Sequence, residues 1–257
     1  MLTGERQQKI IEYLNINSSV TVSELEKMFN VSSETVRRDL LTLESQRKLI
    51  RVHGGALSVV NNVKSKEFNV RHNEYRKEKQ ELCKYAAEFI NEGDTVAIDC
   101  GSTAVFLCEY LVKKFNNLTI VINSIMLFEI LSQKKSFHII LCGGEFIEDS
   151  SYFGGALTVN MIKGLHVSKA FLAPNALSLK FGLTVFSEKS AEIQNAFAQI
   201  ADKIFVMADH SKLEIAATYI TMPLNDDITV ISDSGLSDDI YKLYIDADID
   251  IVRKERP

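Results

Sequence analysis

The sequence has no uninterrupted apolar run approaching the 18 or so residues, at about 1.5 Å rise each, that a membrane-spanning helix needs. No membrane partner is therefore expected. The amino end, Met1 to Lys9, is charged where a secretion signal requires an apolar core. Cysteine is sparse: Cys83, Cys100, Cys108 and Cys142 are scattered, with no C-x-x-C pair. They read as reduced thiols in a cytoplasmic protein, each a small buried hydrophobe. A redox or metal sensor built on Cys100 and Cys142 lacks His or Cys neighbours at ligand spacing, and His138 reads as an ordinary strand residue. Neither G-x-G-x-x-G nor G-x-x-x-x-G-K-[ST] occurs, so neither a dinucleotide nor a P-loop nucleotide is indicated. No cofactor and no metal are expected.

What is present is an ordinary globular composition, 46% apolar and 25% charged over 257 residues, long enough for a small domain plus a medium one. The net charge of -5 hides an asymmetry. Residues 1–79 carry 14 Lys and Arg against 10 Asp and Glu, whereas the remainder carries 15 against 24. The positive part is segregated at one end, so overall acidity leaves room for a nucleic-acid partner.

That end has a readable order of elements. Ile10, Ile11 and Leu14 form a helical stripe that Ser18 and Ser19 break. A second helix starts at Thr21, which has capping-box spacing to Glu24 and an apolar face of Leu25, Met28 and Phe29. Asn30 tolerates left-handed backbone angles and turns the chain; Ser32 caps a third helix. Val36, Leu40 and Leu43, at i, i+4 and i+7, face the core, which points Ser33, Glu34, Arg37 and Arg38 mostly outward. Leu49 to Val52 reads as a short strand and His53-Gly54-Gly55 as its turn, a wing whose glycines let main chain approach phosphates. A helix, a tight turn and a second helix polar at its start suit a DNA major groove about 12 Å wide. The arginine fork can grip guanine or phosphate with two hydrogen bonds.

Val31-Ser32-Ser33-Glu34-Thr35-Val36-Arg37-Arg38-Asp39-Leu40, followed by Arg51-Val52-His53-Gly54-Gly55-Ala56, closely resembles the winged helix-turn-helix of DeoR-type bacterial transcriptional regulators. The resemblance implies that Ser33, Thr35, Arg37 and Arg38 face double-stranded operator DNA, with Arg51 and His53 at the wing. The candidate DNA-contacting set is Thr21, Ser32, Ser33, Thr35, Arg37, Arg38, Arg51, His53 and Gly54. Residues 1–57 are assigned to this domain. A linker, 58–74, lacks clear periodicity and becomes ordered near Phe68; Phe68 and Arg71 match an F-x-x-R signature of the family.

From about residue 76 helices alternate with strands that read as continuous apolar runs, among them Thr95–Asp99, Leu118–Asn123, Phe137–Cys142, Lys169–Ala173, Ile204–Ala208 and Ile228–Ser232. That alternation predicts a doubly wound, mostly parallel α/β domain over 75–257. Ligands bind such sheets at the carboxyl ends of strands. Four polar or glycine-bearing segments fall there: Asp99 to Thr103, Asn123-Ser124, Gly143-Gly144-Glu145 and Asp209 to Lys212. Gly101, Ser102 and Thr103 open a helix, an arrangement that receives anions, and Lys212 supplies a point charge. A small phosphorylated metabolite fits better than a nucleotide. These segments also match the DeoR sensor domain, which is similar to ribose-5-phosphate isomerase; Gly182-Leu183-Thr184 and Glu188 match too. The resemblance implies a phosphorylated sugar effector held by Asp99, Gly101, Ser102, Thr103, Asn123, Ser124, Gly143, Gly144, Glu188, Asp209 and Lys212.

One segment departs from the family. Where G-A-D-G-I-D is usual, this chain has Ala173-Pro174-Asn175-Ala176-Leu177-Ser178, so Asn175 and Ser178 replace two acids. Asparagine cannot act as the carboxylate base that an isomerase needs. The leading expectation is a transcriptional regulator, a repressor, assembled as a homo-oligomer that reads repeated half-sites roughly 34 Å apart. The alternative is an isomerase-type enzyme with an appended DNA-binding domain; no catalytic residue is assigned.

Overall fold

The computed structural model describes residues 3–254 apart from 18, 47, 53 and 59–67. At the amino end, α1 (Thr3–Asn17), β1 (Ser19–Thr21), α2 (Val22–Phe29) and α3 (Ser33–Ser45) precede a hairpin of β2 (Leu49–Val52) and β3 (Gly55–Ser58). The helical periods close one small core: Ile10 and Leu14 from α1, Leu25 from α2, and Val36, Leu40 and Leu43 from α3 are all essentially inaccessible. β3 lies between β1 and β2, antiparallel to both. The strand at Ser19–Thr21 has no signal in the sequence. Thr21 ends it and caps α2, which is why the helix begins one residue later than its cap. Gly55 makes this sheet possible: a Cβ there would lie 2.2 Å from the Val20 carbonyl oxygen, so only glycine permits the approach.

Beyond 59–67, α4 (Phe68–Asn73) and α5 (Arg76–Ala86) lead into the larger half. It continues through β4 (Thr95–Ile98), α6 (Ser102–Lys114), β5 (Thr119–Ile122), α7 (Ile125–Leu131), β6 (His138–Leu141), β7 (Glu145–Ile147), β8 (Tyr152–Gly154) and α8 (Ala156–Lys163). β9 (Val167–Leu172), β10 (Ala176–Ser178), β11 (Gly182–Val185), α9 (Glu188–Gln199), β12 (Ala201–Met207), β13 (Tyr219–Met222), β14 (Ile228–Ser232), α10 (Asp238–Ile245) and β15 (Asp250–Arg253) complete it.

The main sheet has seven strands in the order β15-β14-β12-β9-β4-β5-β6, every neighbouring pair parallel. Successive side chains point to opposite faces. Phe171, Phe205 and Met207 join the layer that holds Leu82, Leu107 and Leu131, while Leu172, Val206 and Ala208 join the layer that holds Ile193, Phe197 and Tyr244. Both faces are covered, which is why the strands read as unbroken apolar runs. Strand order reverses at β4. From it the chain runs outward through β5 and β6 on one side, and through β9, β12, β14 and β15 on the other. The crevice at such a reversal is where sheets of this class take their ligands.

The short pairs β7–β8 and β10–β11–β13, and the helices α8 and α10, have no counterpart in the sequence reading. Three- and four-residue strands carry too little periodicity to identify.

Candidate functional site

In the amino-terminal unit the capping box is complete. Glu24 N–H donates to Thr21 Oγ1 (3.1 Å), and Thr21 N–H and hydroxyl donate to Glu24 Oε2 (2.8 and 2.9 Å). Asn30 takes the left-handed conformation at φ 50°, turning the chain into α3. Ser32 Oγ caps α3 by accepting from Thr35 N–H (3.4 Å) and lies 3.0 Å from the Thr35 hydroxyl. Val36, Asp39, Leu40 and Leu43 are the buried face of α3, leaving Arg37 and Arg38 exposed. The ion pair of Arg38 with Glu34 is loose, 3.8 Å long with both side chains about three-quarters exposed. Such a pair contributes roughly 0–1 kcal/mol and does not hold the guanidinium back.

Asp39 behaves differently. Buried, it accepts from Arg6 Nε of α1 at 2.5 Å and from Gln7 Nε2 at 3.1 Å. This pair ties the helix that bears the two arginines to α1. At the wing, Arg51 lies 3.6 Å from Glu44 Oε2, and its N–H donates to Glu44 Oε1 (3.2 Å). Gly54 takes φ 80° in the turn, and its carbonyl accepts from Val22 N–H. His53 lies outside the described residues.

In the larger unit the loops after β4, β9 and β12 meet. Gly101, Ser102, Thr103, Ala173, Asn175 and Asp209 to Lys212 line one wide cavity, together with Arg71, Tyr75 and Lys79, and amino-terminal residues including Thr21, Arg37 and Arg51 line its other side. Lys212 Nζ donates to the Pro174 carbonyl (3.0 Å) and approaches the Thr103 hydroxyl (3.5 Å). Burial, foremost, lowers its pKa. Asp209 is buried; its Oδ1 accepts from Ser211, and its Oδ2 has no hydrogen-bond partner among the described residues. His210 is held by Asp233 through its backbone N–H (2.7 Å) and Nδ1 (2.9 Å), an arrangement that raises the imidazole pKa. Asp99 stands just behind the cavity wall. Its Oδ2 accepts from Gln194 Nε2 (2.6 Å) and Ala173 N–H (3.3 Å), and burial pushes its carboxyl up to about 7.

Asn123, Ser124, Gly143, Gly144 and Glu188 do not line this cavity. Strand order is the reason. β5 and β6 lie on the opposite side of β4 from β9 and β12, and the loops that follow them adjoin the cavity through the β7–β8 hairpin, whose Ser150 accepts from Arg71, rather than lining it. Asn123 and Ser124 instead hold the β7–β8 hairpin, through Phe153 O (2.9 Å) and Ser151 O (3.1 Å). Gly144 packs on α8, where a Cβ would meet Thr158 Oγ1 at 2.1 Å. Glu188 is exposed at the start of α9. The residues standing in place of the family's acids have local tasks: Asn175 Oδ1 accepts from Phe186 N–H, and Ser178 Oγ from Phe181 N–H (3.2 Å each).

Lys79 escapes a reading of the sequence, within the polar run Arg76 to Glu81. It is buried, and its ammonium donates to the carbonyls of Arg71 (2.5 Å) and Glu74 (2.6 Å). Burial first, and Lys212 second, lower its pKa to about 8. A signal was available, because Lys79 shares the buried face of α5 with Leu82, Cys83 and Ala86. A lysine inside an apolar stripe has an unusual task. Gln194, which orients Asp99, had no such signal. Burial also pushes the Cys100 thiol well up and that of Cys142 to about 11, away from the reactive thiolate.

The model of the DeoR-like helix-turn-helix domain matches residues 6–62, and that of the DeoR C-terminal sensor domain matches residues 74–234. The chain belongs to the DeoR family. It is 35% identical to the uncharacterized HTH-type transcriptional regulator YulB of Bacillus subtilis (strain 168), over 92% of this chain and 91% of that protein. It is 29% identical to a lactose phosphotransferase system repressor of Lactococcus lactis subsp. lactis, over 90% and 91%. A D-ribose-5-phosphate isomerase solved in complex with phospho-erythronic acid aligns with a TM-score of 0.41, at 14% identity over 54% of each chain. This DeoR-family protein is a DNA-binding transcriptional regulator with a sensor domain. Among the described residues no helix is long and apolar enough to cross a membrane.

Proposed function

We propose that this DeoR-family chain is a cytoplasmic repressor of sugar-metabolism genes, and that a phosphorylated sugar in the cavity beside β4 and β9 lowers its operator affinity. The observation that carries the effector reading is the charge of that cavity. The Lys212 ammonium lies beside Thr103 at the start of α6, with Lys79 and Arg71 in the same wall and the buried carboxylate of Asp209 beside it. A phosphomonoester carries about -1.5 to -2 at pH 7, and Lys212, Lys79 and Arg71 are the cations placed to receive it, with Asp209 and Glu74 as the nearest acids of the lining. Asp99, its carboxyl raised to about 7 by burial, is only partly ionised near neutrality and adds less repulsion than an ordinary carboxylate. The name of the lactose phosphotransferase system repressor supports a sugar-linked target. Asn175 and Ser178, both engaged in local turns, supply no catalytic base.

Arg37 and Arg38, with Ser33 and Thr35, contact the major groove; Thr21, Ser32, Arg51, His53 and Gly54 contact the backbone around it. Two such helices in a homo-oligomer read repeated half-sites, which couples occupancy of the cavity to operator affinity when the two states bind the sugar unequally. The test is a thermal-shift screen of phosphorylated pentoses and hexoses against wild type and Lys212→Ala. A sugar phosphate should raise the melting temperature of wild type, and Lys212→Ala should lose that response while still shifting DNA in a gel. Silence of wild type across the panel, or loss of both responses in Lys212→Ala, would sink the reading.

A further inference from the structure

Helix α4 is the first described element after residues 59–67, so the reading head is joined to the larger unit through it. Three separate ties fasten it. The His72 ring stacks between Phe68 (centroids 5.9 Å apart) and Phe106 of α6 (4.7 Å). Arg71 Nη2 donates to Ser150 Oγ (2.7 Å). The Lys79 ammonium bridges the carbonyls of Arg71 and Glu74 at the carboxyl end of α4. Two of these residues, Arg71 and Lys79, also line the effector cavity. The segment that carries the DNA-binding unit is thus built into the wall of the effector site.

We propose that α4 is part of the effector site, and that Lys79 is the positioning residue through which an anion in the cavity fixes α4. The inference rests on the effector reading above and says how that site is wired. An ammonium has three donors; two of those of Lys79 are spent on α4, and the cavity lies beside the third. Lys79, Lys212 and Arg71 carry like charge at close quarters, and their mutual repulsion works against the grip on α4 when the cavity holds no anion. A phosphate between them removes that repulsion, so the grip of Lys79 on the carbonyls of Arg71 and Glu74 tightens. The lowered pKa of Lys79 agrees with this repulsion, since Lys212 and Arg71 are among its causes. The consequence for DNA is mechanical: a fixed α4 restricts the orientations open to the unit attached in front of it.

The test is hydrogen exchange on the full chain, with and without saturating inorganic phosphate, followed at the amides of residues 70–79. Strengthening one charge-assisted hydrogen bond should slow exchange there about tenfold in wild type. In Lys79→Gln, phosphate should bind more weakly, through Lys212 and Arg71, and at saturation established by calorimetry the added protection of α4 should vanish; Lys79→Arg should restore it. Phosphate binding with unchanged exchange at α4 in wild type overturns the proposal, as does equal protection in Lys79→Gln. The wild-type measurement decides even if Lys79→Gln does not fold. Failure of wild type to bind phosphate at all removes the effector reading itself, and this inference with it.

Discussion

Replacing Asp99 with asparagine should stabilise the protein, and by an amount that depends on pH. Asp99 is 2% exposed at the end of β4. Burial raises its carboxyl from the ordinary 3.8 to about 7, even after the hydrogen bonds from Gln194, Ala173 and Cys100 pull it down. A raised carboxyl costs stability wherever the unfolded chain ionises and the folded one does not. The cost begins near the unfolded value, grows with pH, and levels off above about 7. With 1.36 kcal/mol per unit, it is about 1 kcal/mol at about pH 4.5 and ~4 kcal/mol at about pH 8. Asparagine has the shape of the protonated acid. Gln194 and Ala173 both donate to Oδ2, so the amide oxygen can take that place and keep both bonds. Urea unfolding followed by circular dichroism should therefore show Asp99→Asn gaining roughly 3 kcal/mol on wild type between those two pH values. A difference that stays constant with pH, or a wild type that is the more stable at the upper value, would refute the reasoning. A carboxylate kept at such cost beside a cavity is the mark of a functional constraint.

Arg37→Ala with Arg38→Ala should abolish the shift of an operator selected from random DNA by the wild-type chain, and each lost phosphate contact should flatten the salt dependence by about 0.9. Affinity retained at physiological salt would remove the recognition-helix assignment. Asp39→Ala strands the buried Arg6 guanidinium and should cost about 3–5 kcal/mol in denaturant unfolding of the amino-terminal unit, whereas Arg6→Met with Asp39→Leu should cost much less. Gly144→Ala should destabilise by about 1–3 kcal/mol through its clash with buried Thr158, yet leave phosphate affinity unchanged in calorimetry.

Much of the fold was legible because its signals are local. The capping box at Thr21 and Glu24, the left-handed Asn30 and the apolar stripe of α3 each lie within one helical turn, and the structure shows all three. The strands at Ile228–Ser232 and Leu49–Val52 fall where the sequence reading places them. The candidate site was legible only in part. Asp99, Gly101 to Thr103, Asp209 and Lys212 converge, but Asn123, Ser124, Gly143, Gly144 and Glu188 are not in the cavity's lining, since which strand ends are neighbours depends on pairings between distant segments.

By itself the sequence determined the two kinds of unit, the outward phase of Arg37 and Arg38, and which turns bear polar groups at the ends of strands. Each of these follows from spacing of a few residues along one backbone. Tertiary structure decided the rest. The reversal of strand order at β4 brought three loops together and sent two away. The fold of α5 over that crevice buried Lys79 beside Lys212, and the docking of α1 gave Asp39 its partner Arg6. Burial and charges that meet only in space leave no pattern along the chain, and together they set the pKa of Lys79 and the electrostatics of the cavity.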